Sequence, residues 1–220
     1  MIVVEIGCGT APGPFFEGAA EHYAVDKKGP NVLEAYLTHP EMTPMIADAT
    51  DMEFDDESVD VVLARDVFGD VGLGLSKEER YAQVLEMKMM AEDGRPDDAY
   101  AAMFAIEEQS ALKKVDILRE VGRILTVGGR LIVVEQESAD VAERFFASTR
   151  QRENFDLLAM FDVEHNVPLE DVTPPNYAQV HGNYPNLQTW VATKKPRYPD
   201  DPILPDLGGA GVGQTAIELP

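Results

Sequence analysis

The amino-acid sequence predicts an α/β fold built on a doubly wound, mostly parallel sheet. Its first strand is predicted at residues 2–6, where four of the five residues are β-branched, as in strands that are buried on both faces. This strand runs directly into a turn that contains Gly7 and Gly9. Glycines let a backbone turn sharply and approach a ligand closely. A glycine loop at the carboxyl end of a first parallel strand is typical of a nucleotide-type pocket.

The residues around this turn disfavour a dinucleotide. The dinucleotide pattern G-x-G-x-x-G requires glycine at position 12, where the sequence has Pro12. Glu5 would repel a pyrophosphate, whereas it would attract an ammonium or a sulfonium group. An NAD-dependent oxidoreductase is therefore disfavoured. On the glycine pair alone, an ordinary tight turn after a buried strand remains the alternative.

At this point the chain resembles the class I S-adenosylmethionine-dependent methyltransferases. Their first motif reads acidic-x-Gly-x-Gly-x-Gly, and residues 5–11 read Glu-Ile-Gly-Cys-Gly-Thr-Ala, with Ala11 in place of the last glycine and Gly13 close behind. The resemblance implies S-adenosyl-L-methionine as the cofactor. In this loop it implies a cofactor-binding set of Glu5, Gly7, Cys8, Gly9 and Thr10.

Aspartates follow the next two predicted strands. Residues 23–25 form an apolar run that ends at Asp26, about 20 positions after Gly7, the spacing at which an acidic residue accepts hydrogen bonds from ribose hydroxyls. Lys27 is included with it as a cofactor-binding residue. The resemblance implies that Asp48, in the third-strand segment 45–54, accepts from the adenine amino group and that Ala49 offers a backbone N–H. The alternatives are a solvated turn at Asp26 and an exposed acidic loop at Asp48.

A fourth strand is predicted at residues 58–66, which contain a continuous apolar run of the kind found in strands covered on both faces. Its carboxyl end faces the same crevice as the glycine loop. Arg65 is a candidate partner for the methionine carboxylate, and Asp66 for the methionine amine or the substrate. A helix-capping or ion-paired role is the alternative for each.

A helix at residues 115–125, a turn at Gly128 and Gly129, and a fifth strand at 130–135 follow from the apolar spacing. With them the resemblance spans about 135 residues. It implies a seven-stranded, mostly parallel sheet with an antiparallel last strand and a helical insertion after the fourth strand. The predicted domains are a methyltransferase domain at 1–195, with the insertion at about 69–114, and a Pro/Gly-rich tail at 196–220.

The insertion is predicted to be a helical hairpin. Ser76 and Glu79 match a capping box, and Pro96 suits the first turn of a second helix. Its apolar stripes indicate a lid over an apolar substrate, a dimer interface, or simple packing on the sheet. Relatives carry helices before the first strand, so we expect the insertion or a neighbouring subunit to supply that cover. Further on, the sequence predicts a helix at 140–161, a sixth strand near 162–167, a turn at 183–186 and a last strand at 187–193.

Composition narrows the partners. The chain of 220 residues has 40 acidic and 18 basic residues and a net charge of −22, which disfavours nucleic acids and anionic membranes, since phosphate is bound chiefly through Lys and Arg. A neutral small molecule, a cationic partner or a basic peptide stays open, as does a homodimer. The acidity is otherwise explained by solubility alone. The single cysteine, Cys8, excludes an internal disulfide and fits a reducing compartment. We see no membrane span or leader and expect a cytoplasmic protein without a metal.

Methyl transfer needs alignment of the nucleophile and exclusion of water, and an oxygen nucleophile often needs a base. His165 and His181 lie in the region that lines the substrate side in relatives, and they are the candidate catalytic residues. Tyr177, Tyr184 and Glu135 are weaker candidates. The sequence therefore predicts an S-adenosylmethionine-dependent methyltransferase that acts on a small molecule or peptide. The alternative is an inactive relative that binds the cofactor or a partner.

Overall fold

The computed structural model describes residues 1–68, 77–135, 151–152, 155–181 and 188–196. The strands are β1 (Ile2–Ile6), β2 (Glu21–Asp26), β3 (Thr43–Ile46), β4 (Val59–Arg65), β5 (Leu125–Glu135), β6 (Gln151–Arg152), β7 (Phe155–Asp156), β8 (Phe161–His165) and β9 (Gln188–Lys194). The helices are α1 (Gly29–Thr38), α2 (Lys77–Glu92), α3 (Pro96–Ile124), α4 (Leu157–Met160), α5 (Leu169–Val172) and α6 (Pro175–His181).

The main sheet has seven strands in the order β3-β2-β1-β4-β5-β9-β8. The first five of these pair in parallel, while β9 is antiparallel to both of its neighbours. When only the strands of this sheet are counted, the order is 3-2-1-4-5-7-6. The predicted mostly parallel sheet with an antiparallel last strand is confirmed.

Helices and loops cover both faces of the sheet, because alternate residues of each strand point to opposite sides. One face packs against the C-terminal half of α3, which contributes Val115, Leu118 and Val121. The other face is covered by Phe16 of the loop after β1 and by Tyr177 of α6. Buried strands with continuous apolar runs, such as β4, are the expected result.

The connection between β1 and β2 contains no helix in residues 7–20, all of which are described. A doubly wound fold usually has a helix after its first strand. Here Pro12 and Pro14 remove two backbone donors and clash with a preceding helical turn. The loop instead buries Phe16 against the sheet. The glycine loop therefore continues as an irregular segment rather than as a helix N-terminus.

The insertion is a helical hairpin, but its second helix does not end where the sequence pattern indicated. α3 begins at Pro96, as predicted, and continues without a break to Ile124. The predicted second insertion helix and the helix predicted at 115–125 are therefore one element, since residues 97–121 contain no glycine or proline. α2 begins at Lys77, directly after Ser76, which lies outside the described residues. The structure does not support the alternative that the apolar stripes of the hairpin pack on the sheet, because no side chain described between residues 81 and 104 is buried and most of the large apolar ones are exposed.

Two further predictions are adjusted near the fifth strand and beyond it. Gly128 and Gly129 lie within β5, where the pairing with β4 jumps from Leu125 to Arg130, and Gly128 has a φ of 80°. The predicted helix at 140–161 is wrong for residues 151–152 and 155–156, where β6 and β7 pair as antiparallel strands, whereas residues 157–160 are helical as α4. Asn and Asp, which occur at 154 and 156, are weak helix formers.

The last predicted strands are confirmed as β8 and β9. The predicted turn at 183–186, residues 140–150 and the tail from 197 onward lie outside the described residues. Among the helices that are described, none combines the length and apolar character needed to cross a membrane.

Candidate functional site

The glycine loop at the end of β1 requires glycine at both predicted positions. Gly7 and Gly9 have φ values of 62° and 59°, in the left-handed region that other residues rarely adopt. A Cβ atom added to Gly7 would lie 2.8 Å from Cγ2 of Val67, whereas one added to Gly9 would meet nothing within 4 Å. The N–H of Cys8 donates to the carbonyl oxygen of Val25 at 3.0 Å and ties the loop to β2. The space that a Cβ atom of Gly9 would occupy is therefore open.

Asp26, at the carboxyl end of β2, joins this loop to α1. Its Oδ2 accepts from the N–H of Gly9 at 3.1 Å and from Nδ2 of Asn31 at 3.2 Å. Its Oδ1 accepts from the N–H of Lys28 at 2.8 Å. A carboxylate offers about four acceptor positions, so these bonds leave one for a ligand hydroxyl. The predicted juxtaposition of Asp26 with the glycine loop is present.

Glu5 lies beneath the loop rather than on its surface. It is completely buried, and both of its carboxylate oxygens accept from the N–H of Gly13 at 3.0 Å. Burial raises the pKa of this carboxyl group, while Arg65 and the bond from Gly13 act in the opposite direction. Glu5 therefore holds the shape of the loop. The sequence predicted instead that Glu5 contacts the cofactor directly.

Arg65 and Asp66 meet the same loop from the end of β4. The Arg65 guanidinium donates to the carbonyl oxygen of Ala11 and lies 3.7 Å from Oε1 of Glu5. Asp66 has a φ of 51°, and its N–H donates to the carbonyl oxygen of Val134 at 2.9 Å. Left-handed backbone at a non-glycine residue costs energy and is concentrated at functional sites. The structure thus brings both residues to the crevice, with Arg65 engaged by the loop.

Asp48 follows β3 and carries an ion pair that the sequence did not indicate. Nζ of Lys113, from α3, donates to Oδ1 at 2.9 Å and to Oδ2 at 3.0 Å. The hydroxyl and N–H of Thr50 also donate to Oδ1. Burial alone would raise the pKa of Asp48, but the bonds from Lys113 and Thr50 lower it overall. Asp48 is consequently an ionised acceptor, with Ala49 half-buried beside it.

The other predicted loop residues take backbone or surface positions. Thr10 and Lys27 are exposed next to the loop and to β2, respectively. The thiol of Cys8 is buried, and desolvation together with Glu5 and Asp26 raises its pKa to about 12. A thiol in that state is a poor nucleophile.

Of the two candidate bases, His165 lies apart from this group. His165 is exposed at the end of β8. It pairs with Trp190 of β9, which pairs with Val133 of β5, which in turn pairs with Ala64 of β4. It lies at the correct edge of the sheet but three strands from β4, or about 14 Å at the usual strand spacing. His181 ends α6, and its side chain lies outside the described residues.

Buried polar side chains line the loop from its other side. Tyr177 of α6 is fully buried, and desolvation followed by the charge of Glu5 raises the pKa of its phenol. Nδ2 of Asn176 donates to the carbonyl oxygen of Phe15 at 2.8 Å. Nδ1 of His22 accepts from the N–H of Phe16 at 3.1 Å. These residues hold the irregular loop, and no local sequence pattern identifies them.

The comparisons with known proteins agree with this architecture. No protein-family model matches the sequence, and no curated protein matches it. Among solved structures, a chain of the complex between a methyltransferase activator and a putative methyltransferase of Haloferax volcanii is 13% identical, with a TM-score of 0.50, and the match covers 89% of this chain and 83% of that chain.

A second solved structure gives the same result. A TehB-like SAM-dependent methyltransferase from Corynebacterium glutamicum is 14% identical, with a TM-score of 0.50, and the match covers 88% of this chain and 80% of that chain. Likeness at this level of identity concerns the fold alone. Together with the strand order and the glycine loop, it leads to one conclusion: the chain has the fold of the class I S-adenosylmethionine-dependent methyltransferases.

Proposed function

We propose that this protein is an S-adenosylmethionine-dependent methyltransferase that acts on a small molecule or peptide. The observation that carries the proposal is the bond from the N–H of Gly9 to Asp26. It fixes an open glycine loop against a carboxylate that retains an acceptor position. This arrangement lies at the carboxyl edge of the sheet, where ligands bind in doubly wound folds.

The residues of the crevice fit this cofactor. Asp26 would accept from a ribose hydroxyl, while the backbone of Ala49 would meet the adenine. Asp48, whose carboxylate already accepts four bonds from Lys113 and Thr50, would hold that segment in place. Asp48 is paired with Lys113, and Glu5 lies near Arg65, so the carboxylate of Asp26 is the charge beside the glycine loop that would suit a positively charged ligand. When bound, the cofactor supplies a methyl group activated by attachment to a positively charged sulfur.

The same geometry argues against a dinucleotide. In dinucleotide-binding folds the pyrophosphate rests on the N-terminus of the helix that follows the glycine loop. Here residues 7–20 contain no helix, so this source of partial positive charge is missing. The carboxylate of Asp26 beside the glycine loop would also repel a pyrophosphate.

The residues of the chain would act mainly by alignment. Glu5 and Arg65 hold the loop, through Gly13 and Ala11 respectively, and so fix the position of the bound cofactor. Asp66, with its left-handed backbone, directly follows the end of β4. Correct alignment of two reactants supplies a large part of the rate enhancement in a bimolecular displacement. The net charge of −22 favours a neutral or cationic methyl acceptor over a nucleic acid.

A cofactor-binding protein without methyltransferase activity is the second candidate function. One observation favours it: the exposed His165 lies about 14 Å from β4, as estimated from strand spacing, which is beyond hydrogen-bond reach of that strand's end.

Transfer of labelled methyl groups separates the two candidates. Purified protein is incubated with methyl-labelled cofactor and a small-molecule and peptide extract. The proposed activity predicts incorporation that is lost in Asp26→Ala and retained in Asp55→Ala, since Asp55 is an exposed acidic residue of the loop before β4. Cofactor binding without incorporation into any fraction would favour the second candidate.

A further inference from the structure

The segment that follows β3 is held by one side of α3. Lys113, Glu120 and Arg123 lie on the same side of that helix, as their spacing along it requires. Oε1 of Glu120 accepts from the N–H of Met52 at 2.7 Å, and Nη2 of Arg123 donates to the carbonyl oxygen of Met52 at 2.9 Å. These bonds fix the backbone shortly after Asp48, so Lys113 meets an acceptor whose position is already set.

The contact between Lys113 and Asp48 differs from an ordinary surface ion pair. Nζ of Lys113 bonds both carboxylate oxygens, at 2.9 and 3.0 Å, and Oγ1 of Thr50 at 3.3 Å. An ammonium has three donors, and these contacts engage all of them within one group. Exposed pairs usually contribute little because two long side chains must be held in one geometry. Here Asp48 is short and is itself held by Thr50, so the pair is preorganised.

The two carboxylate oxygens of Asp48 have different partners. Oδ1 accepts from the N–H and the hydroxyl of Thr50 and from Lys113. Among the described residues, Oδ2 accepts from Lys113 alone. A further donor would therefore have to compete with the ammonium for Oδ2. Charge-assisted hydrogen bonds are roughly twice as strong as neutral ones, so a neutral amino group does not displace Lys113 from this oxygen.

We propose that Lys113 is a positioning residue that sets the base specificity of the cofactor pocket, because it occupies Asp48 and leaves the 6-amino group of the adenine without that carboxylate as an acceptor. The inference rests on the proposed function and concerns how its cofactor is recognised. It differs from the role that the family resemblance implies, in which Asp48 accepts from the amino group. The backbone N–H of Ala49 would then read a ring nitrogen of the base, and the pocket tolerates loss of the amino group.

Calorimetric titration with two matched ligands tests this proposal on the full chain. One ligand is S-adenosylhomocysteine, and the other is the same molecule with hydrogen in place of the 6-amino group, which keeps the ring nitrogens as acceptors. We expect the two dissociation constants of the wild-type chain to agree within about threefold, since no bond from the amino group to a carboxylate is lost. If Asp48 accepted from that amino group, its removal would raise the dissociation constant about tenfold or more.

Lys113→Met supplies the central comparison. Methionine keeps the apolar stem of the lysine and removes its ammonium, so Oδ2 of Asp48 becomes available to the amino group. S-adenosylhomocysteine should then bind about tenfold or more tightly than the deaminated ligand. Lys113→Arg should keep the wild-type ratio, since a guanidinium also bonds a carboxylate through two N–H groups. Lys88→Met is the matched control, because Lys88 of α2 pairs with Glu92 and should not affect the ratio.

The ratio of the two dissociation constants separates this role from a merely structural one. A substitution that only loosens the segment after β3 weakens both ligands alike and leaves their ratio unchanged. Circular dichroism checks that each variant is folded. A wild-type chain that prefers the amino ligand about tenfold or more, or a folded Lys113→Met variant with the wild-type ratio, would overturn the inference and leave the proposed function intact. No binding of either ligand to the wild-type chain would overturn the proposed function and the inference with it.

Discussion

The glycine loop depends on two different properties of glycine, and the structure separates them. Gly9 and Gly18 both have left-handed φ values, 59° and 87°, and a Cβ atom at either would meet nothing within 4 Å. Gly9 belongs to the loop that is bound to Asp26, whereas Gly18 lies near the start of β2. The cost of backbone conformation can therefore be measured at Gly18 and subtracted.

We expect Gly9→Ala and Gly18→Ala to lose similar stability, about 1 kcal/mol each, because alanine is strained at positive φ. Only Gly9→Ala should weaken cofactor binding, since its methyl group enters the space that the ligand needs. Urea denaturation and calorimetric titration measure the two effects. Equal loss of affinity in both variants would mean that the loop responds to general strain rather than to blocked space.

His22 gives the fold a pH dependence that is separate from the site. It is almost fully buried, and desolvation lowers its pKa from 6.5 to about 4, with smaller opposing and reinforcing effects of Glu41 and His39. The folded state therefore keeps His22 neutral below pH 6.5, where the unfolded chain takes up a proton. The contribution of neutral His22 to the free energy of unfolding is complete above pH 6.5. As the pH falls toward 4, the free energy of unfolding decreases by about 3 kcal/mol in total.

The raised pKa of Glu5 acts in the opposite direction, because acidification neutralises a buried carboxylate. A comparison with His22→Asn isolates the histidine, since the asparagine side-chain oxygen can accept the bond from Phe16 without titrating. We expect the free energy of unfolding of the wild type, relative to this variant, to fall between pH 7 and pH 4 in urea denaturation. A constant difference over that range would contradict a neutral buried His22.

The sequence predicted which residues meet at the crevice where the pattern is local, and their roles stay predictions. The glycines, Asp26 and Asp48 follow directly from strand ends and their spacing. Lys113 is 65 positions from its partner Asp48, and Tyr177 reaches the loop from a helix beyond the fifth strand. No periodic pattern carries such long-range pairs, so only the folded structure brings them together. Glu5 was predicted at the right place, but its burial gives it a supporting contact with Gly13.

The elements of the fold were predicted where apolar runs and breakers coincide. β1, β4, β8 and β9 follow this rule. The sequence pattern failed at α3, because its apolar residues form two stripes with different partners: the N-terminal stripe is exposed, and the C-terminal stripe is buried in the main core. In the sequence, a shift of the apolar stripe from one side of a single helix to another looks like a boundary between two helices.

The exposed stripe and the buried stripe of α3 should accordingly differ in how much they contribute to the free energy of unfolding. Leu118 is fully buried, whereas Leu112 is 47% exposed, and the two residues lie six positions apart in the same helix. Leu118→Ala should cost about 2–5 kcal/mol through lost burial and a cavity, while Leu112→Ala should cost less than about 1 kcal/mol. Chemical denaturation at low protein concentration measures both. Equal losses of unfolding free energy in the two variants would show that the exposed stripe of α3 also packs on the domain.

Across the whole molecule, three features act together. The sheet order fixes a crevice at the carboxyl ends of β1 and β4, the connection after the glycine loop contains no helix, and the carboxylate of Asp26 lies beside that loop. Each feature alone is compatible with several ligands. We propose that together they select a positively charged nucleoside ligand over a dinucleotide, and that the net charge of −22 disfavours a nucleic acid as substrate.

Calorimetric titration of the full chain with S-adenosylmethionine, S-adenosylhomocysteine and NAD tests this account most directly. We predict micromolar binding of the first two and none of NAD. Asp26→Ala should weaken binding by about 1–3 kcal/mol, because a buried acceptor to a hydroxyl is lost together with the bond that holds Gly9, and Asp55→Ala should bind as the wild type does. Tight binding of NAD, or no binding of either methionine-derived ligand to the folded chain, would contradict the account.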